Sequence, residues 1–324
     1  VSSEGETIKV SLGTAGVLGL LQVTQTDPPT AAYLMVGERC QRDCAFCAQA
    51  RSSQAQADVL SRIVWPPQNL AETVERLKAA YEQGRLRRCC LQVTAAPGHI
   101  REAERVLRLI RQASAIPLST CAVVRSLEEI KRLLAAGADK VAIALDAARE
   151  DIYQQYKSDG WQRTREFLEQ AAERFPGHLS THLIVGLGET EEDLIRLFQH
   201  LTDHQVTIGL FAFTPVPGAA LASRSAPSLA SYRRVQAARY LIVNSWLRAS
   251  NMVFSPQGEI LGYGLAAEVL RSALSDGSAF CTAGCLDCNR PYYNERPGGA
   301  IYNYPRPLKR EEIAQALAYL PFEQ

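Results

Sequence analysis

Nine cysteines carry most of the chemistry offered by this chain of 324 residues. Six of them form two sets with one spacing, Cys40-Gln-Arg-Asp-Cys44-Ala-Phe46-Cys47 and Cys281-Thr-Ala-Gly-Cys285-Leu-Asp-Cys288. An odd cysteine count in a long chain is a poor disulfide framework, and tight clustering argues for metal. Three thiolates in one loop can wrap an iron–sulfur cube and serve three of its four irons. Zinc normally takes four protein ligands, or three with an open catalytic position. No histidine or fourth cysteine lies near Cys40–Cys47 to finish a zinc knuckle. The unligated iron is then the functional feature, because a substrate or cofactor can chelate it. For the second set, a zinc site completed by one distant ligand is the rival to a second cluster. Cys89, Cys90 and Cys121 stand apart, and buried free cysteine is common in cores.

The elements that position these residues alternate. Short apolar runs are expected as strands at Tyr33–Val36, Cys89–Ala95, Pro117–Val123, Lys140–Asp146, Leu179–Val185 and Val206–Phe213. Weaker strand candidates lie at Met252–Phe254 and Ser278–Phe280. Helical periodicity marks 70–84, 99–113, 126–137, 164–175, 190–201, 229–247, 265–274 and 311–320. Strands separated by helices imply right-handed parallel crossovers. About eight such units favour a (β/α)8 TIM-type barrel, complete or nearly complete, over a doubly wound sheet. The ends do not follow the repeat. The division expected is an N-terminal extension at 1–30, a barrel at 31–288 and a C-terminal extension at 289–324 that covers the second thiol set. Each cysteine set then follows a strand, on the face where barrel enzymes keep their sites.

Bulk properties exclude several classes. With 47% hydrophobic and 21% charged residues, global disorder is ruled out. A formal net charge of +1 gives no basic surface for nucleic acid. No run approaches the ~20 apolar residues of a membrane span. Glu4 and Glu6 precede the apolar stretch Val10–Val23, which reads as no signal peptide, so a cytoplasmic protein is expected.

The CxxxCxxC spacing with Phe46 before the last cysteine resembles the signature of radical S-adenosylmethionine (SAM) enzymes. Cys44-Ala-Phe-Cys47-Ala-Gln49-Ala-Arg51-Ser52-Ser53 is similar to the motif of the biotin synthase branch. The resemblance covers about residues 30–290. It implies a [4Fe–4S] cluster on Cys40, Cys44 and Cys47, with SAM chelating the fourth iron and giving a 5′-deoxyadenosyl radical. Asp146, in Leu145-Asp146, matches the position that binds the cofactor's ribose, while Ala144 stands where the branch usually has asparagine. Gly186, Gly188 and Glu189, in Ile184-Val-Gly-Leu-Gly-Glu189, match the segment beside the adenine; Glu189 is equally a helix-start carboxylate.

Biotin synthase holds a second cluster through three strand cysteines and an arginine. Cys90 or Cys89 and Cys121 match two of those positions, Ser180 replaces the third cysteine, and the arginine's strand reads Asn251-Met-Val-Phe254. The Cys281/Cys285/Cys288 set therefore reads as an auxiliary [4Fe–4S] site. The tail Asn289-Arg290-Pro-Tyr-Tyr-Asn-Glu-Arg296-Pro297 is placed to cover it, with Arg290 matched to a carboxylate or to the anionic cluster. In this the chain looks like the biotin-synthase-like component of a two-protein lipoyl synthase. That resemblance implies sulfur insertion at C6 or C8 of an octanoyl chain, with the auxiliary cluster as sulfur donor and Leu210, Phe211 and Phe213 lining the channel. It also implies an octanoylated carrier domain, a second radical component and an external electron donor as partners. The alternative is another biotin-synthase-like enzyme (a biotin synthase variant, methylase or mutase) using the auxiliary cluster for electron transfer or anchoring.

Overall fold

The computed structural model describes residues 5–158, 160–295 and 298–322. Glu4, Arg296 and Pro297 lie outside the described residues. The chain begins with β1 (Thr7–Val10), α1 (Leu12–Leu18) and β2 (Ala31–Val36). A small hairpin, β3 (Val59–Leu60) and β4 (Ile63–Val64), leads to β5 (Pro67–Asn69) and α2 (Leu70–Glu82). Alternation follows through β6 (Arg88–Val93), α3 (His99–Ala113), β7 (Leu118–Cys121), α4 (Leu127–Ala135) and β8 (Lys140–Ala142). It continues through α5 (Glu150–Tyr156), α6 (Trp161–Arg174), β9 (Leu179–Val185), α7 (Glu191–Asp203), β10 (Thr207–Ala212) and α8 (Leu229–Val243). A hairpin of β11 (Val253–Phe254) and β12 (Ile260–Gly262) precedes α9 (Ala267–Ala273) and α10 (Arg310–Leu317).

The fold is α/β, with one eight-stranded sheet in the order β10-β9-β8-β7-β6-β2-β1-β5, flanked by helices. From β2 to β10 the pairing is parallel, with Tyr33 opposite Cys90 and Gln92 opposite Cys121. β1 instead runs antiparallel to both β2 and β5. The sheet therefore reaches eight strands with six parallel βα strands and two antiparallel ones. The strand expected at 278–280 is a 3₁₀ turn. Its cause is local: the Asp276 carboxylate accepts from the Ser278 amide (2.9 Å) and hydroxyl (2.6 Å), and Gly277 takes φ +73°. The strand expected at 252–254 is one arm of the β11–β12 hairpin, turned by Ser255–Gly258. The first 30 residues are not all irregular. Ile8 and Val10 of β1 are buried in the main core, so this segment belongs to the sheet.

Strand alternation sorts side chains between two layers. On β2, Ala32, Leu34 and Val36 join the large core under the helices, while Ala31, Tyr33 and Met35 face the interior. On β6, Cys89, Leu91 and Val93 face the helices, whereas Arg88, Cys90 and Gln92 line an interior cavity. Helix starts follow their caps. Asn69, Ser126 and Ser228 each accept an amide at the opening of α2, α4 and α8. At α4 the Ser126-Leu-Glu-Glu129 capping box is half made, since Glu129 accepts from Arg125 instead; Thr190 and Asp193 form a full one at α7. Among the described residues no helix is long and apolar enough to cross a membrane.

Candidate active site

The first cysteine loop leaves β2 at Gly37, whose φ of +93° and close approach to Thr94 suit glycine. Backbone bonds then tie the loop down: Cys40 N–H to Gln49 O (3.1 Å), Gln41 N–H to Ala95 O (2.7 Å) and Ala45 N–H to Tyr156 O (2.7 Å). Arg39, unremarked in the sequence, organises its far side by donating to the carbonyls of Ala48, Ala50, Ser53 and Ala55. Cys40, Cys44 and Cys47 thereby line one pocket of about 660 Å³, with Phe46, Cys121, Asp146 and Lys157. Amides reach two of the sulfurs, Arg42 N–H to Cys40 Sγ and Gln49 N–H to Cys47 Sγ, both at 3.4 Å.

The donor set fits an iron–sulfur cube. Burial first, and then the neighbouring thiols, push Cys47 up to about 12; burial likewise pushes Cys44 up to about 11. Thiols this desolvated give up their protons only to a strong local positive charge, which coordinated iron supplies. Spacing separates a cube from a single ion. Tetrahedral Zn–S bonds of about 2.3 Å bring sulfurs to about 3.8 Å from one another. Among the described residues no three thiols lie within 4.8 Å; the one such ligand set is Glu169, His200 and His204, on the outer helices α6 and α7.

Asp146 ends the β8 segment in a left-handed conformation (φ +64°) and bridges to Leu183 of β9. Its Oδ2 meets Lys157 Nζ at 2.8 Å, with both side chains nearly buried. Burial lowers the lysine's proton affinity, but the Asp146 carboxylate, Tyr153 and Cys44 together outweigh it and hold Lys157 above its ordinary value. Gly186 and Gly188 take φ of +106° and +127°, and the Gly186 amide donates to Glu189 Oε1 (2.8 Å). Burial raises Glu189. These three residues lie behind the pocket rather than in its wall; Ile184, two residues earlier, reaches the adjoining cavity.

That second void, about 220 Å³, shares Phe46, Cys47 and Asp146 with the first. Its far wall carries Cys90, Cys285, Cys288, Arg88 and Arg290, with Ser180 also at its edge. Phe211 and Phe213 line it as expected, whereas Leu210 points into the helix-side core. Cys288 Sγ lies 3.4 Å from the Tyr33 hydroxyl, and the Ser119 hydroxyl donates to Cys285 Sγ at 3.6 Å. The expected third member, Cys281, is not brought to this wall. Its thiol donates to the Arg306 carbonyl (3.4 Å), and burial beside Asp276 pushes it up to about 11.

Two cavity residues escaped the sequence reading. His182, beside Cys121 (4.0 Å) and edge-on to Phe211, is held down to about 4 by burial and then by Arg290. Arg88 binds both Asp139 oxygens (2.9 and 2.8 Å) and the Leu286 carbonyl, which anchors the Cys285–Cys288 loop to β6. Arg290 stacks on Phe211 (3.9 Å) and donates to the Ala283 carbonyl (2.6 Å). The stretch Asn251–Phe254, where biotin synthase's arginine would stand, is absent from the wall.

Residues 34–201 match the Radical SAM superfamily. The chain belongs to that superfamily. Among curated relatives, a biotin synthase of Acinetobacter baumannii is 27% identical over 221 residues, 65% of this chain and 64% of that protein. A biotin synthase of Dechloromonas aromatica is 28% identical over 220 residues, with the same shares covered. The chain thus spans 64% of the length of these relatives. Solved structures share the fold at low identity. The [FeFe]-hydrogenase maturase HydG aligns with a TM-score of 0.54 and 15% identity, over 66% of this chain and 50% of that one. HydG of Carboxydothermus hydrogenoformans aligns at 0.51 and 15%, over 72% and 56%. Within the superfamily, then, this chain is similar to biotin synthases over 65% of its length.

Proposed function

We propose that the chain is a biotin-synthase-like radical SAM enzyme that removes hydrogen from a small apolar substrate segment held between two thiol-bound cofactors. The observation that carries this is the shared wall: Cys47 and Asp146 line both the 660 Å³ pocket and the 220 Å³ cavity. Cys40, Cys44 and Cys47 would hold a [4Fe–4S] cluster, which with SAM bound beside it would supply hydrogen-abstracting radical chemistry. The protein's residues bind, orient and exclude water. Lys157 fixes the rotamer of Asp146 through Oδ2, leaving Oδ1 to accept from a hydroxyl of the nucleoside. Phe46, Leu60, Phe211, Phe213 and Val216 make the cavity apolar, which suits an alkyl group and protects a radical from quenching. Arg290 presents a buried cation to an acyl or carboxylate end, or to an anionic cluster.

A finer reading is sulfur insertion into an octanoyl chain on a carrier domain, alongside a second radical protein and an electron donor. The apolar walls ending at Cys285 and Cys288 favour it. In that case turnover consumes the auxiliary cluster's sulfide; electron transfer or anchoring leaves it intact.

The test is anaerobic reconstitution, reduction and quantification of 5′-deoxyadenosine and methionine. The proposal expects reductant-dependent cleavage that Cys47→Ala abolishes. SAM left intact in the reconstituted wild type refutes it. An octanoyl-lysyl peptide assay with parallel sulfide counts then separates the two uses.

A further inference from the structure

Cys285 and Cys288 need a third thiol, and the chain supplies two candidates on opposite sides of the sheet. We propose that Cys90 of β6, not Cys281, completes the auxiliary iron–sulfur site with Cys285 and Cys288. This rests on the proposed radical chemistry only in taking iron–sulfur as the metal.

The two layers of the fold separate the candidates. Cys90 and Cys288 pack in the interior cluster with Tyr33, Met35 and Tyr293. Cys281 packs against the other cluster, under the helices, where its neighbour Phe280 is fully buried. The interior set shares one cavity: Cys90, Cys285 and Cys288 all line the 220 Å³ void, and Cys281 does not.

Backbone geometry keeps Cys281 where it is. The residue bridges to Tyr304, with Thr282 N–H to Tyr304 O and Tyr304 N–H to Phe280 O both at 3.0 Å. Its thiol meanwhile donates to the Arg306 carbonyl (3.4 Å). Past that bridge, Gly284 (φ +136°) passes 3.5 Å from Gly209 Cα, measured from where its Cβ would stand. The chain there crosses to the cavity before Cys285. The identical x3 and x2 spacing of the two sets thus encodes two different arrangements.

Charge is matched to the interior set. Three thiolates with a cluster are anionic, and two buried guanidiniums flank them. The Arg88 guanidinium reaches Ser119 (2.7 Å), which donates to Cys285; Arg290 lines the same cavity as Cys285 and Cys288, and its backbone amide donates to the Tyr33 hydroxyl that meets Cys288. The neighbouring strand thiol, Cys121, faces His182 and lines the first loop's pocket rather than this cavity.

The experiment uses the full chain, reconstituted anaerobically, with iron and sulfide counts and Mössbauer spectra on wild type, Cys281→Ala, Cys90→Ala, the milder Cys90→Ser, and Cys285→Ala/Cys288→Ala. Near-ultraviolet and far-ultraviolet circular dichroism check that each variant is folded. Wild type and Cys281→Ala are expected to hold two clusters, about eight irons. Both Cys90 variants and the double variant are expected to hold one, about four irons, with the first cluster's spectrum unchanged. Loss of a cluster in Cys281→Ala, with both Cys90 variants intact, overturns the assignment in favour of the contiguous triad. A single cluster in wild type, lost in Cys47→Ala, refutes the second site altogether and leaves the radical reading standing.

Discussion

Lys157 Nζ and Asp146 Oδ2 lie 2.8 Å apart, with side chains 6% and 12% exposed, on the partition between the two voids. A pair this enclosed is costly to break from one side, because the survivor remains a buried, uncompensated charge. Lys157→Met is expected to lower stability by ~3–5 kcal/mol. Lys157→Met/Asp146→Asn should recover part of that loss while still weakening SAM binding. Urea unfolding and equilibrium binding of SAM check the two effects separately; equal stability of single and double variants would show that the charges are solvated.

The loop carrying the first thiols rests on the turn after β10. Gln54 N–H donates to Gly218 O (2.8 Å), and Gly218 has φ +86° with its missing Cβ position only 2.4 Å from Ala55 N. Gly218→Ala therefore meets both backbone strain and a backbone clash. A loss of ~1–3 kcal/mol in the denaturant midpoint is expected, accompanied by lower iron retention. A neutral effect would mean that the two loops are not seated together.

Among the described residues Arg233 is a buried cation with no acidic partner at contact distance; it donates to the carbonyls of Ile301 and Tyr302 and lies between Phe280 and Tyr304. Arg233→Met keeps the bulk but strands the Ile301 carbonyl, at ~1–3 kcal/mol, while Tyr302 keeps its bond from Gln236. Faster amide exchange confined to residues 298–308 is the expected signature. Uniform acceleration across the sheet would instead assign Arg233 to the global core.

His182 sets a pH dependence whose sign is fixed. Its pKa in the folded chain is about 4, below the ordinary 6.5. Between those values the unfolded chain holds the extra proton, so stability is full above pH 6.5 and declines as pH falls toward 4. The slope per proton is at most ~1.4 kcal/mol per pH unit. His182→Gln should flatten the wild-type decline in that window, measured by denaturant unfolding at matched ionic strength. An unchanged slope would place a proton on His182 in the native state.

Much of this was legible because it is local. The Cys40–Cys47 loop follows its strand within a few residues, and β9 and α3 fall where apolar spacing puts them. β1 was not legible: four residues, Thr7–Val10, are too few for alternation to show, and their partners on β2 and β5, distant in sequence, make them a strand. α5 buries just Ile152 and Tyr153, too little for a helical stripe. The surroundings of the second thiol set were not legible for a different reason. Equal spacing says nothing of tertiary neighbours: Cys285 and Cys288 line a cavity with Cys90 of β6, while Cys281 bridges to Tyr304.

Tyr33 receives the Arg290 amide across 257 positions of sequence, and that separation is also an interval of time. At ~5–20 residues per second, a ribosome releases Arg290 about 13–50 s after Tyr33. Throughout that interval the interior face of β2 has only its early neighbours Leu60, Ile63 and Trp65 against it, and Tyr293 is still missing. The last segment of the chain closes the second cavity late, whereas the pocket of Cys40, Cys44 and Cys47 carries neither Tyr293 nor Arg290 and does not wait for them.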